Sequence, residues 1–507
     1  MKILNYIILG LILSPMAFGF ESEEQSFVRK CYAQLTSSRI PAKSAYLSRA
    51  KAGEDPVSLC MEILNRASIV SNGEIDRNEK NSVGQLVLKN MHRLHSSFFS
   101  SSSYTTFGPD DTRTTRNYLD DTQPAFYITN SLFSEIPYDQ AITTKTSLRA
   151  NRTDNDPDNM IWKDFGFRSA NCLSNQTTGC GRNLPKVINP QAPVNTRISG
   201  TNACSTNDSG DCDRFRSEIA TIPFAPRGKL LGFRAHPGVN VPHLVRHAQD
   251  GSAASKYIYD HKNMNQNLGA GMIGDQVFVL STHSQSSESY KANGAALVSR
   301  NWSKAVYEDV LCRTLPALRN EDVSFQLTNV EGSAPFRWAN ACLRCHVGMD
   351  QTAGYIRNLQ YIKSIDRNNA ANAIISTRLR PAEISSLKSW TETNDNSFYK
   401  QSPVGRLYYR DYQGKLIHKT GTGIEELAQQ IAETDDYYIC AAKNYYKHFI
   451  NVDVALPDPG KAGYVDDESG HRAELIRLGL EFKEHKSLKM LVNSIFKSKF
   501  YFSGKSE

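Results

Sequence analysis

The sequence predicts a mainly α, multi-domain protein: a helical scaffold with irregular, disulfide-stapled loops and one small β-hairpin. Three observations predict it. Apolar residues recur at helical spacing near both ends of the chain. Regular alternation of strands with helices is absent, which disfavours an α/β sheet. One segment carries a clear hairpin signal. The 507 residues are 40% hydrophobic and 22% charged, the composition of an ordinary folded chain with enough length for several cores.

The chain opens "MKILNYIILGLILSPMAFGF", where one lysine precedes an apolar run and Ala17-Phe18-Gly19 offers small residues to a signal peptidase. Residues 1–19 therefore read as a cleaved secretory signal. The run from Ile3 to Phe18 contains Asn5 and Pro15 and is short for a bilayer span. With no cysteine at the cleavage site and no later long apolar run, the mature chain is expected to be exported, periplasmic or secreted from a bacterium, without a membrane span.

Residues 20–150 form the expected N-terminal helical region. Phe27, Cys31, Tyr32 and Leu35 share one stripe, and Val83, Leu86, Val87, Met91 and Leu94 another. "SSFFSSSSYTTFGPDDT" interrupts them as a polar loop, and a second helical stretch is expected over 114–150. Residues 151–230 are irregular, rich in Asn, Asp, Gly, Thr and Pro, and hold four cysteines. Within them Asp154, Asp156 and Asp158 alternate as in a calcium loop, but the later Gly and Glu ligands are missing, which favours a solvated loop. A third region, 231–375, carries a helix from about Trp302 to Leu311 and then the chemical motif discussed below. Residues 362–403 look like a polar, partly helical insertion. The C-terminal region, 395–507, holds a hairpin in "GRLYYRDYQGKLIHKTG" turning at Gln413-Gly414. It ends in helices, with Ile424, Leu427, Ala428 and Ile431 on one stripe. Leu488, Leu491, Val492, Ile495 and Phe496 form another behind Ser487 as N-cap.

Lys and Arg outnumber Asp and Glu by 59 to 52, a net charge of +7 that falls by one when Lys2 leaves with the signal. No block of like charges occurs, which argues against nucleic acid as partner. A weakly basic surface is compatible with an anionic redox partner.

Ten cysteines in an exported chain need an account. Two belong to "WANACLRCHVGMD". The other eight are an even set, as disulfides require. Cys172 with Cys180 and Cys204 with Cys212 would each close a short loop; Cys31 with Cys60 and Cys312 with Cys440 would then remain.

The motif Cys342-x-x-Cys345-His346 has three chemical readings. Two thiols three apart can add across the vinyl groups of a haem while the next residue offers an imidazole to iron. A redox dithiol would sit at a helix start after a strand and does not need the histidine. A zinc site would need a second ligand pair nearby, yet the next cysteine is Cys440. At this chain's own Cys and His frequencies about 0.005 chance occurrences are expected, so accident explains it poorly. Export and the upstream "SAPFRW", no buried strand, favour covalent haem c, one per chain, with His346 as proximal iron ligand. Phe336, Trp338, Leu343, Leu359 and Tyr361 are candidate walls, and Arg337, Arg344 or Arg357 candidate partners for propionates. For the iron's other face the candidates are His236, His243 and His247, or Met264 and Met272, with His247 placed first. Met349 lies too close to His346 to reach that face.

From about Leu231 to Phe502 further pieces occur in order: "GFRAHPGVNVPHLVRHA" with His236 and His247; "NWSKAVYEDVLCRTLP" with Cys312; Cys342, Cys345 and His346 followed by Met349, Asp350 and Gly354; and a last region with Cys440, Tyr446, Phe482, Leu488 and "SIFKSKFYF". In this order they resemble the planctomycete-type cytochrome c proteins, whose haem-bearing and C-terminal domains are named only as domains of unknown function. The chain departs from that pattern at Arg234, Ala235, Gln351, Asn451-Val452 and the long insertion at 362–403. The resemblance implies a mostly helical fold, haem c and electron transfer; it supplies no substrate. The expectation is thus an exported monohaem electron-transfer protein with an unidentified periplasmic redox partner, more than an enzyme with its own substrate. The alternative is a haem-dependent peroxidase or oxygenase with an open distal site.

Overall fold

The computed structural model describes residues 22–99, 122–153, 160–161, 187–188, 229–236, 240–248, 255–265, 269–275, 278–279, 282, 300–327, 339–356, 359–364, 374–379, 403–461, 463–465 and 467–502. The expected secretory signal, the aspartates 154, 156 and 158, the cysteines 172, 180, 204 and 212, and the residues Phe336, Arg337, Trp338 and Arg357 lie outside them.

The described chain is mainly helical, with short two-stranded antiparallel sheets. Helix α1 (Glu23–Thr36) starts at a reciprocal cap: the Gln25 amide donates to Ser22 Oγ and the Ser22 amide to Gln25 Oε1, both at 3.2 Å. Its expected stripe, Phe27, Cys31, Tyr32 and Leu35, is buried. After α2 (Ala45–Lys51), α3 (Pro56–Asn65) begins with Asp55 as cap and Pro56 in the first turn, where a missing N–H costs nothing. A Cys31–Cys60 disulfide staples α1 to α3, as the leftover pairing anticipated.

Helix α4 (Val83–Ser97) buries Gly84, Val87, Leu88, Met91 and His95. The expected stripe is turned by about one position, so Val83, Leu86 and Leu94 are half-buried. The cause is Gly84: a Cβ there would lie 2.2 Å from the Arg66 carbonyl oxygen, so only glycine lets the helix approach on that side.

The helical expectation for 114–150 holds for α5 (Pro124–Phe133) and α6 (Gln140–Thr143) but fails beyond them. Ser147–Arg152 is strand β1, antiparallel to β2 (Leu230–His236). Leu148 and Ala150 point inward at period two, and the partner that makes this a strand lies some eighty residues away. β3 (Asn240–Ala248) and β4 (Ser255–Asn265) pair as a hairpin.

The helix expected at about Trp302 to Leu311 is α7 (Arg300–Ala305) continued by a π-turn over Val306–Val310. It is followed by α8 (Asn340–Ala353), which carries the cysteine motif. The expected insertion at 362–403 contains strand in its described part: β5 (Leu359–Ser364) pairs with β6 (Ile374–Leu379). Ile362, Ile374, Ile375 and Thr377 are β-branched, which disfavours helix there.

The hairpin of β7 (Val404–Arg410) and β8 (Leu416–Thr422) is as expected. Asp411 Oδ1 closes its turn by accepting from the Gln413 and Lys415 amides, both at 2.9 Å, with Gly414 at φ 79°. Four helices complete the chain: α9 (Gly423–Ala432), α10 (Asp435–Ile450), α11 (His471–His485) and α12 (Leu488–Lys497), before a last turn at Lys499–Phe502. Ser487 caps α12 by accepting from the Met490 amide at 3.4 Å, and its five-residue stripe is buried. The second leftover pair, Cys312–Cys440, is also a disulfide and ties the segment after α7 to α10.

One hydrophobic core runs from Phe27 on α1 to Tyr501 at the far end, so N- and C-terminal helices share it. The Lys30 ammonium donates to the Tyr501 carbonyl at 2.8 Å, and Gln34 Nε2 to the Phe449 carbonyl at 2.8 Å. Among the described residues no helix is long and apolar enough to cross a membrane.

Candidate functional site

Helix α8 has two unlike faces. Leu343 and Val347 are buried against Leu318, Val323 and Tyr408. Gly348 lets the helix lie on β7, since a Cβ there would stand 3.0 Å from the Tyr408 carbonyl oxygen. One turn on, Thr352 Oγ1 donates to the Arg406 carbonyl at 3.1 Å and shares a 2.7 Å hydrogen bond with the buried Tyr307 hydroxyl. These contacts fix how α8 is rotated about its axis.

The rotation decides what the other face presents. At 100° per residue, Cys342, Cys345, His346 and Met349 fall within an arc of about 100°. Cys342 is exposed and Cys345, His346 and Met349 are half-buried. Cys342 lies in the first turn, where its amide bonds the Ala339 carbonyl at 3.1 Å. Neither thiol is paired, whereas Cys31, Cys60, Cys312 and Cys440 are all in disulfides.

Burial, more than any neighbour, lowers the pKa of His346; the positive charge of Arg300 lowers it further and Asp350 opposes. The imidazole is therefore held neutral, the form that ligates a metal. Burial raises the Cys345 thiol, against the pull of Arg344 and Lys461. Asp350, one turn after His346, accepts from Arg300 through both carboxylate oxygens and so ties α7 to α8.

These features suit a flat group held through two sulfurs. The thiols and the imidazole share one accessible arc and the opposite face is anchored, whereas Arg344 lies about 150° round the helix from the middle of that arc. Arg344 is the one expected propionate partner whose side chain is described. Leu343, expected as a wall, faces the small core behind the helix instead, because Leu318 and Tyr408 cover it. Met349 shares the arc of His346.

Of the remaining candidates only Met272 has a described side chain, and it is not on this arc. His236, His243, His247 and Met264 lie on β2, β3 and β4, Leu359 and Tyr361 on β5, and their side chains are outside the described residues. Met272 is buried in the main core, in the turn Gly271–Gly274, whose Ile273 carbonyl accepts from Trp302 Nε1 at 3.1 Å. Among the described residues no three His, Cys, Asp or Glu side chains gather as a metal site.

Sequence reasoning missed Arg300, Tyr307, Thr352 and Lys461. Asp350, four residues after His346, is the only local hint that a cation should stand nearby. No family model matches the chain, and no curated protein or solved structure does.

Proposed function

We propose that this chain is an exported monohaem c-type cytochrome-like protein. Haem c is attached through Cys342 and Cys345, His346 is the proximal iron ligand, and electrons pass to a redox partner in the periplasm. The carrying observation is that two unpaired thiols and the His346 imidazole share one arc of α8 while the other described cysteines are in disulfides. When bound, the haem supplies a one-electron iron couple.

The chain's own residues do the rest. The anchored face of α8 presents the sulfurs and His346 in a fixed orientation, and burial keeps the imidazole unprotonated. Arg300 and Asp350 hold the turn that follows it. Two disulfides in the described chain fit an oxidising compartment. The ordered resemblance to planctomycete-type cytochrome c proteins supports the same reading, and membership of that family is part of the proposal. His247 on β3 is the proposed distal ligand.

The test is the ferrous spectrum with and without carbon monoxide, followed by a potentiometric titration. A low-spin haem that ignores the gas and titrates as a single one-electron couple is expected, with gas binding gained in His247→Ala. Rapid gas binding by the unmodified protein would contradict electron transfer and point to an open distal site.

A further inference from the structure

A cleft of about 300 Å³ opens between the segment that follows α7, helix α10 and the stretch before α11. Arg313, Lys443 and Lys461 line it, with Asp458 the single acidic lining residue. Asp458 is already committed: Arg319 donates to both its oxygens, at 2.8 and 2.6 Å, and the Gly460 amide donates at 2.9 Å.

The cations are less well matched. Lys461 Nζ gives one hydrogen bond, to the Pro316 carbonyl at 2.8 Å, a neutral acceptor. Lys443 stands 3.3 Å from Asp453, a half-exposed carboxylate already held by Lys447 at 2.6 Å. Arg313 is 5% exposed. Its Nη1 donates to the Leu456 carbonyl at 3.0 Å and stands 3.8 Å from Asp436, while its Nε donates to nothing among the described residues. A guanidinium buried to that degree carries its charge at a cost, which a nearby anion would offset. Burial also lowers Lys461, and the charges of Arg313 and Arg344 add to that effect while Asp458 opposes it.

We propose that this cleft binds a small dianionic oxyanion of the phosphate class, held by Arg313, Lys443 and Lys461. The volume suits it: at about 30 Å³ per water the space holds roughly ten waters, enough for a phosphate with part of its hydration or a small organic substituent. Three positively charged residues lining one cleft favour a dianion over a monocarboxylate or chloride. Cys342, Cys345 and His346 do not line the cleft, although the charge of Lys461 reaches Cys345.

Isothermal titration calorimetry of the full exported protein tests it, with inorganic phosphate, acetate and chloride at matched ionic strength. Saturable phosphate binding is expected, with acetate and chloride weaker. Lys443→Gln at the cleft and Lys461→Met within it should each weaken phosphate binding at least about tenfold, the loss of one charged hydrogen bond. Lys443 sits on α10 and its partner Asp453 keeps Lys447, so Lys443→Gln, checked for an unchanged melt, decides the matter if Lys461→Met melts early. Equal heats for the three anions, or phosphate binding unchanged in Lys443→Gln, would overturn the proposal. Cys342→Ser/Cys345→Ser should bind phosphate like the unmodified chain. Binding gained only on that change would assign the cleft to an acid group of whatever those cysteines carry, and would also overturn it.

Discussion

Arg300 grips Asp350 in parallel, Nε donating to Oδ1 at 2.5 Å and Nη2 to Oδ2 at 2.9 Å, across the gap between α7 and α8. The pair is half-buried, with side chains 19% and 26% exposed. A bidentate guanidinium–carboxylate contact restricts both distance and angle. Here it fixes the turn of α8 directly after His346.

Arg300→Met should lower stability by about 1–2 kcal/mol, since it strands a partly buried carboxylate. Asp350→Asn should cost less than that. In a double-mutant cycle by denaturant titration, a coupling of about 1 kcal/mol is expected; strictly additive effects would show that the two residues do not work as a pair.

The two disulfides should differ in weight. They close separations of 29 and 128 residues. By chain entropy the longer loop, Cys312–Cys440, should contribute about 1.3 kcal/mol more. Comparing the denaturation midpoints of the Cys31→Ala/Cys60→Ala and Cys312→Ala/Cys440→Ala proteins checks this, and a larger loss from the shorter loop would refute it.

Acid should destabilise the protein through α4. His92 Nδ1 and His95 Nδ1 meet the Thr129 hydroxyl at 3.1 and 2.8 Å, and His95 Nε2 meets the Tyr445 hydroxyl at 2.6 Å. Burial holds His92 down to about 3 and His95 well below its ordinary value. Both folded pKa values lie below the unfolded ones. The unfolded chain therefore takes up more protons as pH falls below about 6.5, and stability drops by up to about 1.4 kcal/mol per pH unit per histidine. Asp436 works the other way: burial raises it to about 7, so its folded form keeps a proton that the unfolded form has lost. Its contribution, present below the unfolded carboxyl value, is lost as pH rises through about 7, which offsets one histidine and leaves the other. His92→Gln should flatten the melting temperature between pH 6.5 and pH 4, an interval set by these shifts. An unchanged slope would remove His92 from the explanation.

Gly348→Ala tests how closely α8 must approach β7. The added methyl would stand 3.0 Å from the Tyr408 carbonyl oxygen, a backbone atom with little room to move. A loss of about 1–3 kcal/mol is expected by thermal melt, as for overpacking elsewhere. A neutral outcome would mean that the helix shifts freely, and the orientation of His346 would then need another cause.

Much of this architecture is legible in the sequence where the signal is local. The stripes of α1, α9 and α12, the Ser487 cap and the turn at Gln413-Gly414 are set by residues within a few positions of one another. The pairing of Cys31 with Cys60 and Cys312 with Cys440 emerged by leaving short loops to the other four. What the sequence hides is set from afar. Ser147–Arg152 becomes a strand because Leu230–His236 pairs with it. The burial of α4 follows a glycine against a carbonyl, which apolar periodicity does not see. In the candidate site Cys342, Cys345 and His346 are legible because they stand together in one short motif; Arg300 is not, because an ion pair between helices leaves no spacing to read.

Covalent haem on α8 is tested most directly by pyridine haemochrome absorbance and intact mass of the exported protein, produced in a host that matures c-type cytochromes. One haem per chain, resistant to acid-acetone extraction and absent from Cys342→Ser/Cys345→Ser, is the predicted result. A chain carrying no haem, with the mass of the bare polypeptide, would contradict it.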